Sequence, residues 1–437
     1  MAARPPAPGP PAESSTEAVA ALVDGCARGT VVVLGSPPPR GRDLDLLVRP
    51  EDEAAIASAL GDAGFFAKGA TWARFAECSA AAVELLPTHD LGLPDTELES
   101  LFVESLALPG LERLTLPGPH HQLLLAATLL VGRSGYLAPR HRERVLSTTR
   151  DHPDAWALAE SRAREWRAVD DLVRLADALA GEPPAWRKRV PALLRRALRR
   201  ARNTLRPQLI AISGIDGSGK SFQARALTDT LERLGYPAGV VWTPLANEAW
   251  LLRLARPVRR LVGLVATRPS STHVEEPGRR GLTSNPALTS NPARMLRRRS
   301  RVLTSVWTTI VALANGWSLA RGLMAHGWAG RVVVADRYRL DSAVRMRFLY
   351  DERRRFPVLR ALLAALTPSP RRAFFLDVEP ATSLARKDDG WSLEELAVQA
   401  RLYREEHRGF MSEHLDGSRP PDDICAETAK KAWLALR

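Results

Sequence analysis

Apolar and polar positions along the chain fall into three regimes. From residue 30 to about 120, short apolar runs alternate with polar turns. TVVVLGS (Thr30–Ser36), DLDLLV (Asp43–Val48) and AAVELLP (Ala81–Pro87) read as strands. Between the second and third, EDEAAIASALGDAGF has helical spacing, opens on acids and ends near Gly64. The expectation is a small α+β unit over 19–120. From 121 to 206 the spacing is helical: HQLLLAATLLVG, DAWALAESRAREWRAVDDLVRLADALAG and VPALLRRALRRARNTLR predict three helices forming a connector. From 207 to 437, QLIAISG, GVVWTP, RVVVAD, RAFFLDV and EHLDG are strand candidates separated by helical stretches. Strands this continuously apolar predict a parallel sheet covered on both faces, hence an α/β fold.

Three segments interrupt this pattern. Residues 1–18, rich in Pro and Ala, have no apolar centre; they read as a disordered tail rather than a signal peptide. Residues 268–301 contain the tandem LTSNPA-LTSNPA (Leu282–Ala293) and end in RRRSR, which predicts a mobile surface insertion. Val302–Ala320 carries no charge, but its Thr, Ser and Asn residues favour a buried helix over a membrane span. A protein with no transmembrane segment is expected.

Composition changes this picture little. The formal charge of +13 comes from 62 Lys+Arg against 49 Asp+Glu, and only six of the cations are lysine. An arginine skew beside abundant Ala and Pro reads as coding bias, so no obligate nucleic-acid partner is expected. The nine cations between Arg187 and Arg206, with no acid among them, form a basic helix read as a solvated linker face. Three widely spaced cysteines argue against a disulfide scaffold or a zinc ribbon and fit a reducing cytoplasmic compartment.

The sharpest chemical signal is Gly214-Ile-Asp-Gly-Ser-Gly-Lys-Ser221, a full G-x-x-x-x-G-K-[ST] phosphate-binding loop. A strand enters it and an amphipathic helix ending at Gly235 leaves it, as the motif requires. Gly214, Gly217, Ser218 and Gly219 would curl backbone N–H groups around the phosphates of ATP. Lys220 would reach the β- and γ-phosphates and Ser221 would hold Mg2+.

Further along, Asp336-Arg337-Tyr338 closes RVVVAD, AFFLDVEP leads into ATSLARKDD, and HLDGSRPPDDICAETAKKAW ends the chain. With GIDGSGKS, this series resembles the thymidylate kinase family of nucleoside monophosphate kinases, over Leu209 to about Leu434. The resemblance implies that Asp216 accepts the sugar 3′-hydroxyl and that Asp336 positions Mg2+. It also implies that Arg337 and Tyr338 meet the acceptor, that Arg386, with Lys387 beside it, comes from a lid, and that Arg419 lies by the adenine. Some members place an arginine inside the loop, where this chain has Gly217. Two family features are replaced: WTPLANEAW stands for an Arg-Glu-Pro run, and DSAVRMRFLYD for a base-reading Tyr-Gln pair. Arg345 and Arg347 lie in the second of these, where they would hold a more anionic acceptor or be solvated.

A second constellation lies near the amino terminus. Gly35-Ser36, then Asp43 and Asp45 two apart on one strand, then Glu84 on another, resemble the minimal nucleotidyltransferase family over residues 30 to about 120. The resemblance implies a metal site of Asp43, Asp45 and Glu84. Only six residues separate Ser36 from Asp43, fewer than the family's intervening helix needs, and the third acid is Glu rather than Asp. His120-His121 shows no partner at ligand spacing and reads as a capping or surface feature.

These readings converge on an ATP- and Mg2+-dependent phosphotransferase converting a nucleoside monophosphate, dTMP by resemblance, to its diphosphate. Its partners would be small-molecule nucleotides, with a homodimer as a permitted assembly. Two alternatives stand beside it: the same chemistry on another acceptor, coupled to the amino-terminal domain, or a nucleotide-regulated binding protein using the basic helix.

Overall fold

The computed structural model describes residues 16–39, 43–76, 78–91, 93–132, 137, 139–165, 169–180, 208–242, 331–350, 356–386 and 391–436, with scattered positions between 309 and 324. The basic run at 187–206, the insertion at 268–301 and most of 302–320 lie outside the described residues, as do the first fifteen. The chain divides into two compact units, Met1–Leu198 and Arg199–Arg437.

The first unit opens with helix α1 (Thr16–Cys26), which takes up the last three residues of the expected tail. Its sheet has seven strands in the order β3-β4-β5-β2-β1-β7-β6: β1 Val31–Val33, β2 Asp43–Val48, β3 Phe66–Lys68, β4 Thr71–Ala76, β5 Ser79–Pro87, β6 Leu106–Ala107 and β7 Leu114–Leu116. Pairing is mixed, with β2–β5 and β1–β7 parallel and the others antiparallel. Both faces are covered, and the two-residue period of a strand sorts the side chains. Val31, Val33, Leu44, Leu46 and Val48 pack with Ile56 and Leu60 of α2 (Pro50–Asp62). Val32 and Leu47 point the other way, onto Leu98, Leu101 and Phe102 of α3 (Asp95–Val103).

Helical structure follows in α4 (Pro119–Leu125), continued by a π-helical stretch at Ala126–Gly132, then α5 (Pro139–Asp151), α6 (Ala155–Glu165) and α7 (Val169–Ala180). Ala155, Ala159 and Ala163, four apart on α6, let neighbouring helices approach closely, and they share a core with Leu123, Val145, Leu172 and Leu175. The segment expected as one long helix carries α6 and α7, with 166–168 between them outside the described residues. The sheet strands and these helices fall in the same unit.

The second unit is α/β, with a five-stranded all-parallel sheet in the order β12-β11-β8-β10-β9. Its strands are β8 Leu209–Gly214, β9 Ala238–Trp242, β10 Val332–Asp336, β11 Arg372–Asp377 and β12 Glu413–Asp416. All five coincide with the apolar runs of the sequence. Every residue of the central pair β8 and β10 is buried, as a parallel sheet covered on both faces demands. The described helices are α8 (Lys220–Arg233), α9 (Arg339–Tyr350), α10 (Pro357–Leu366), α11 (Pro380–Arg386), α12 (Leu393–Glu406) and α13 (Pro421–Ala435). Parallel register carries the ends of β8, β10 and β11 to one edge, with Asp336 opposite Ile212 and Leu376 opposite Gly214. Crevices beyond the carboxyl ends of parallel strands are where ligands of such sheets bind.

Candidate functional site

The residues at that edge belong to the turn between β8 and α8. Gly217 has φ 82°, and a Cβ there would lie 2.5 Å from the Ser383 carbonyl oxygen. A Cβ on Gly214 would lie 2.6 Å from the Leu376 carbonyl oxygen. Only glycine lets the turn pass this close to β11 and α11. Gly219, at φ 93°, caps α8 without any side-chain capping bond. The first-turn amides of α8 have no intrahelical acceptors by helix geometry, so they offer donors and a partial positive charge to an anion.

Six polar side chains surround this turn. Lys220, 5% exposed, donates from Nζ to the Ile215 carbonyl at 2.6 Å and lies 3.7 Å from an Asp216 carboxylate oxygen. Burial pushes its ammonium pKa down, and the Asp216 carboxylate opposes the shift. Asp216 also accepts from the Arg337 guanidinium, while Ser383 Oγ donates to the Asp216 carbonyl. Ser221 Oγ donates to Asp336 Oδ2 at 2.6 Å. The other Asp336 oxygen is buried and has no partner among the described residues. A hydroxyl beside a carboxylate with an unused oxygen is a donor set suited to Mg2+, which takes oxygen ligands and keeps several waters.

Beneath the turn lies a group absent from the sequence reading. Asp341, fully buried in the first turn of α9, accepts from Ser213 Oγ at 2.6 Å, the Tyr338 amide at 2.8 Å and Tyr403 Oη at 2.8 Å. Burial raises its carboxyl pKa, opposed chiefly by Lys220. It anchors β8, α9 and α12 from below. The available signal was an acid five residues after Asp336, in the first turn of the following helix.

The structure therefore brings together Gly214, Asp216, Gly217, Ser218, Gly219, Lys220, Ser221, Asp336 and Arg337. Tyr338 does not join them: it is 2% exposed, packs in the core and donates from Oη to the Pro368 carbonyl at 2.6 Å. Arg386 is exposed at the end of α11, with Nη1 3.4 Å from the Gly417 carbonyl. Lys387 lies outside the described residues. Arg419 pairs with Glu427 at 2.5 Å, which also takes Lys431 at 2.6 Å. Arg347 is neither solvated nor free for an anionic acceptor. It is 5% exposed and binds Glu406 at 2.9 Å and Glu405 at 2.7 Å, because α9 packs that side against α12. Arg345 is half-buried.

In the first unit, Asp45 and Glu84 are register partners across the parallel β2–β5 pair, and both line a cavity of about 230 Å³ with Gln122, His141, Arg144 and Thr148. A Cβ on Gly35 would lie 3.2 Å from Asp45 Oδ2. Asp43 is exposed, and the three acids do not form a group with ligand atoms within 4.8 Å of one another. The fold thus pairs two of them and leaves the third aside. His120 and His121 are buried rather than at the surface, and each meets a carboxylate, Glu104 and Glu97 respectively.

A scan against protein-family models and a search of curated proteins return no match for this chain.

Proposed function

We propose that residues 207–437 form a P-loop kinase domain that transfers the γ-phosphoryl group of ATP to a nucleoside monophosphate, with dTMP the acceptor named by the resemblance. One observation carries this reading. A glycine turn leads into an uncapped helix, with Lys220 folded into it and Ser221 bonded to Asp336. Backbone N–H groups of the turn hold the donor phosphates, and Lys220 exchanges its carbonyl partner for phosphate oxygen. Ser221 and Asp336 would hold Mg2+, which when bound adds charge neutralisation at the phosphates. An acceptor phosphate oxygen attacks the γ-phosphorus, the bond to the β–γ bridging oxygen breaks, and ADP leaves. Positioning and charge neutralisation lower the barrier, with no covalent enzyme intermediate.

The Asp216–Arg337 pair supports the acceptor side of this scheme. The carboxylate holds the guanidinium at the mouth of the turn, on the left-handed backbone of Arg337 (φ 75°). An acceptor would divide the pair, its phosphate taking Arg337 and its sugar hydroxyl Asp216. Lys220→Ala tests the reading. Transfer from γ-labelled ATP should fall at least about a hundredfold, the scale of losing one group that stabilises developing charge. Undiminished transfer by a folded variant would reject the assignment.

A further inference from the structure

A cluster in the first unit has a chemistry of its own. Glu97 lies on α3, Glu104 caps its carboxyl end, and His120 and His121 form the first turn of α4. Glu104, His120 and His121 each offer a ligand atom within 4.8 Å of the other two. His120 Nε2 is 3.3 Å from Glu104 Oε2, and His121 Nε2 is 3.2 Å from Glu97 Oε1. Two ligands bound at ~2.1 Å in a tetrahedral arrangement stand about 3.4 Å apart.

The polar atoms here are buried without satisfaction. His121 is 0% exposed and Glu97 3%, yet both ring nitrogens of His121, His120 Nε2 and Glu97 Oε1 lack a hydrogen-bond partner among the described residues. Close approach without hydrogen-bond alignment distinguishes this group from an ordinary His–Glu pair. Glu104 is already oriented: Ser100 Oγ and Arg162 both donate to Oε1, at 2.6 and 3.1 Å, so Oε2 faces His120.

We infer that Glu104 Oε2, His120 Nε2 and His121 Nδ1 bind a Zn2+ ion, with Glu97 orienting His121 through Nε2. Two imidazoles and one carboxylate, with a fourth position open, form a donor set that zinc favours. A carboxylate on the far nitrogen of a ligating histidine fixes its tautomer. Glu104, 39% exposed, gives the ion a route in from solvent. The site does not depend on the kinase reading.

The test uses the full chain, purified without a polyhistidine tag, equilibrated with Zn2+ and desalted. Elemental analysis should find one zinc per chain. Co2+ in its place should give the intense visible absorption of a tetrahedral site. Glu104→Gln, at a partly exposed position that tolerates change, should abolish that spectrum and weaken zinc binding at least about tenfold. Glu97→Gln should weaken zinc about 10–100-fold, the scale seen for outer carboxylates. Wild-type protein that retains less than about a tenth of an equivalent, or Glu104→Gln binding as tightly as wild type, overturns the inference.

Discussion

The glycine turn at the head of β8 and the Glu104–His120–His121 cluster stand in opposite states of readiness. At the turn, charges are already partnered: Lys220 on a carbonyl, Arg337 on Asp216, Ser221 on Asp336. A ligand there exchanges partners, so its side chains rest in place without it. In the cluster, ring nitrogens of both histidines and one Glu97 oxygen are buried without a hydrogen-bond partner among the described residues, and a ligand would add one. The first arrangement favours turnover, where binding must be reversible. The second favours tight retention of an ion.

Three variants sharpen or break this contrast, beginning with the largest effect. Arg347→Ala leaves Glu406, 2% exposed, with Arg360 at 3.6 Å as its remaining ion-pair partner. Removing one partner of a buried pair costs about 3–5 kcal/mol, and the Arg360 contact places the expected loss at the lower end of that range. Urea unfolding should register that loss; a change below about 1 kcal/mol would return Arg347 to the candidates for acceptor binding.

Gly217→Ala places a methyl group 2.5 Å from the Ser383 carbonyl oxygen on a backbone at φ 82°. The strain should be about 1–3 kcal/mol, and ATP affinity by calorimetry should fall with it. Unchanged affinity and stability would mean that the turn need not hold this shape.

The smallest effect concerns Asp24, which accepts amide donors from Glu112, Arg113 and Leu114 at 3.0, 2.7 and 2.9 Å. Partial burial pulls its carboxyl pKa up, but these donors outweigh it and hold the value below normal. A depressed folded pKa stabilises above the unfolded value of about 3.9 and loses that contribution as pH falls through the folded value. The stability gap between wild type and Asp24→Ala should therefore be full above about pH 4 and narrow below it. A gap that widens on acidification would contradict the assignment.

Legibility in the sequence followed the physics of each element. The five strands of the parallel sheet were readable because strands buried on both faces are continuous apolar runs. The turn was readable because its cradle is backbone, and backbone shape is written in consecutive glycines. β3 and β4 were missed because they bury little: Phe66 and Ala67 are exposed, and only Ala73 of β4 is fully buried. Helix α5, PRHRERVLSTTRD, hides its apolar period behind six charged residues of thirteen. Arg347 was misplaced because helix α9 is buried on more than one face, so helical spacing could not say which residues turn inward. Tyr338, just before α9, was placed by the resemblance, and its ring packs in the core. The histidines looked partnerless because Glu104 lies sixteen residues earlier, across β6 and β7.

ADP release from Mg-ATP, measured with dTMP, dUMP, each other monophosphate and no acceptor, asks whether the β8–α8 turn transfers phosphate to a nucleotide. Stimulation by at least one monophosphate, dTMP foremost, is expected, and its loss in Lys220→Ala. ATP bound at the turn with no stimulation by any monophosphate would contradict such transfer.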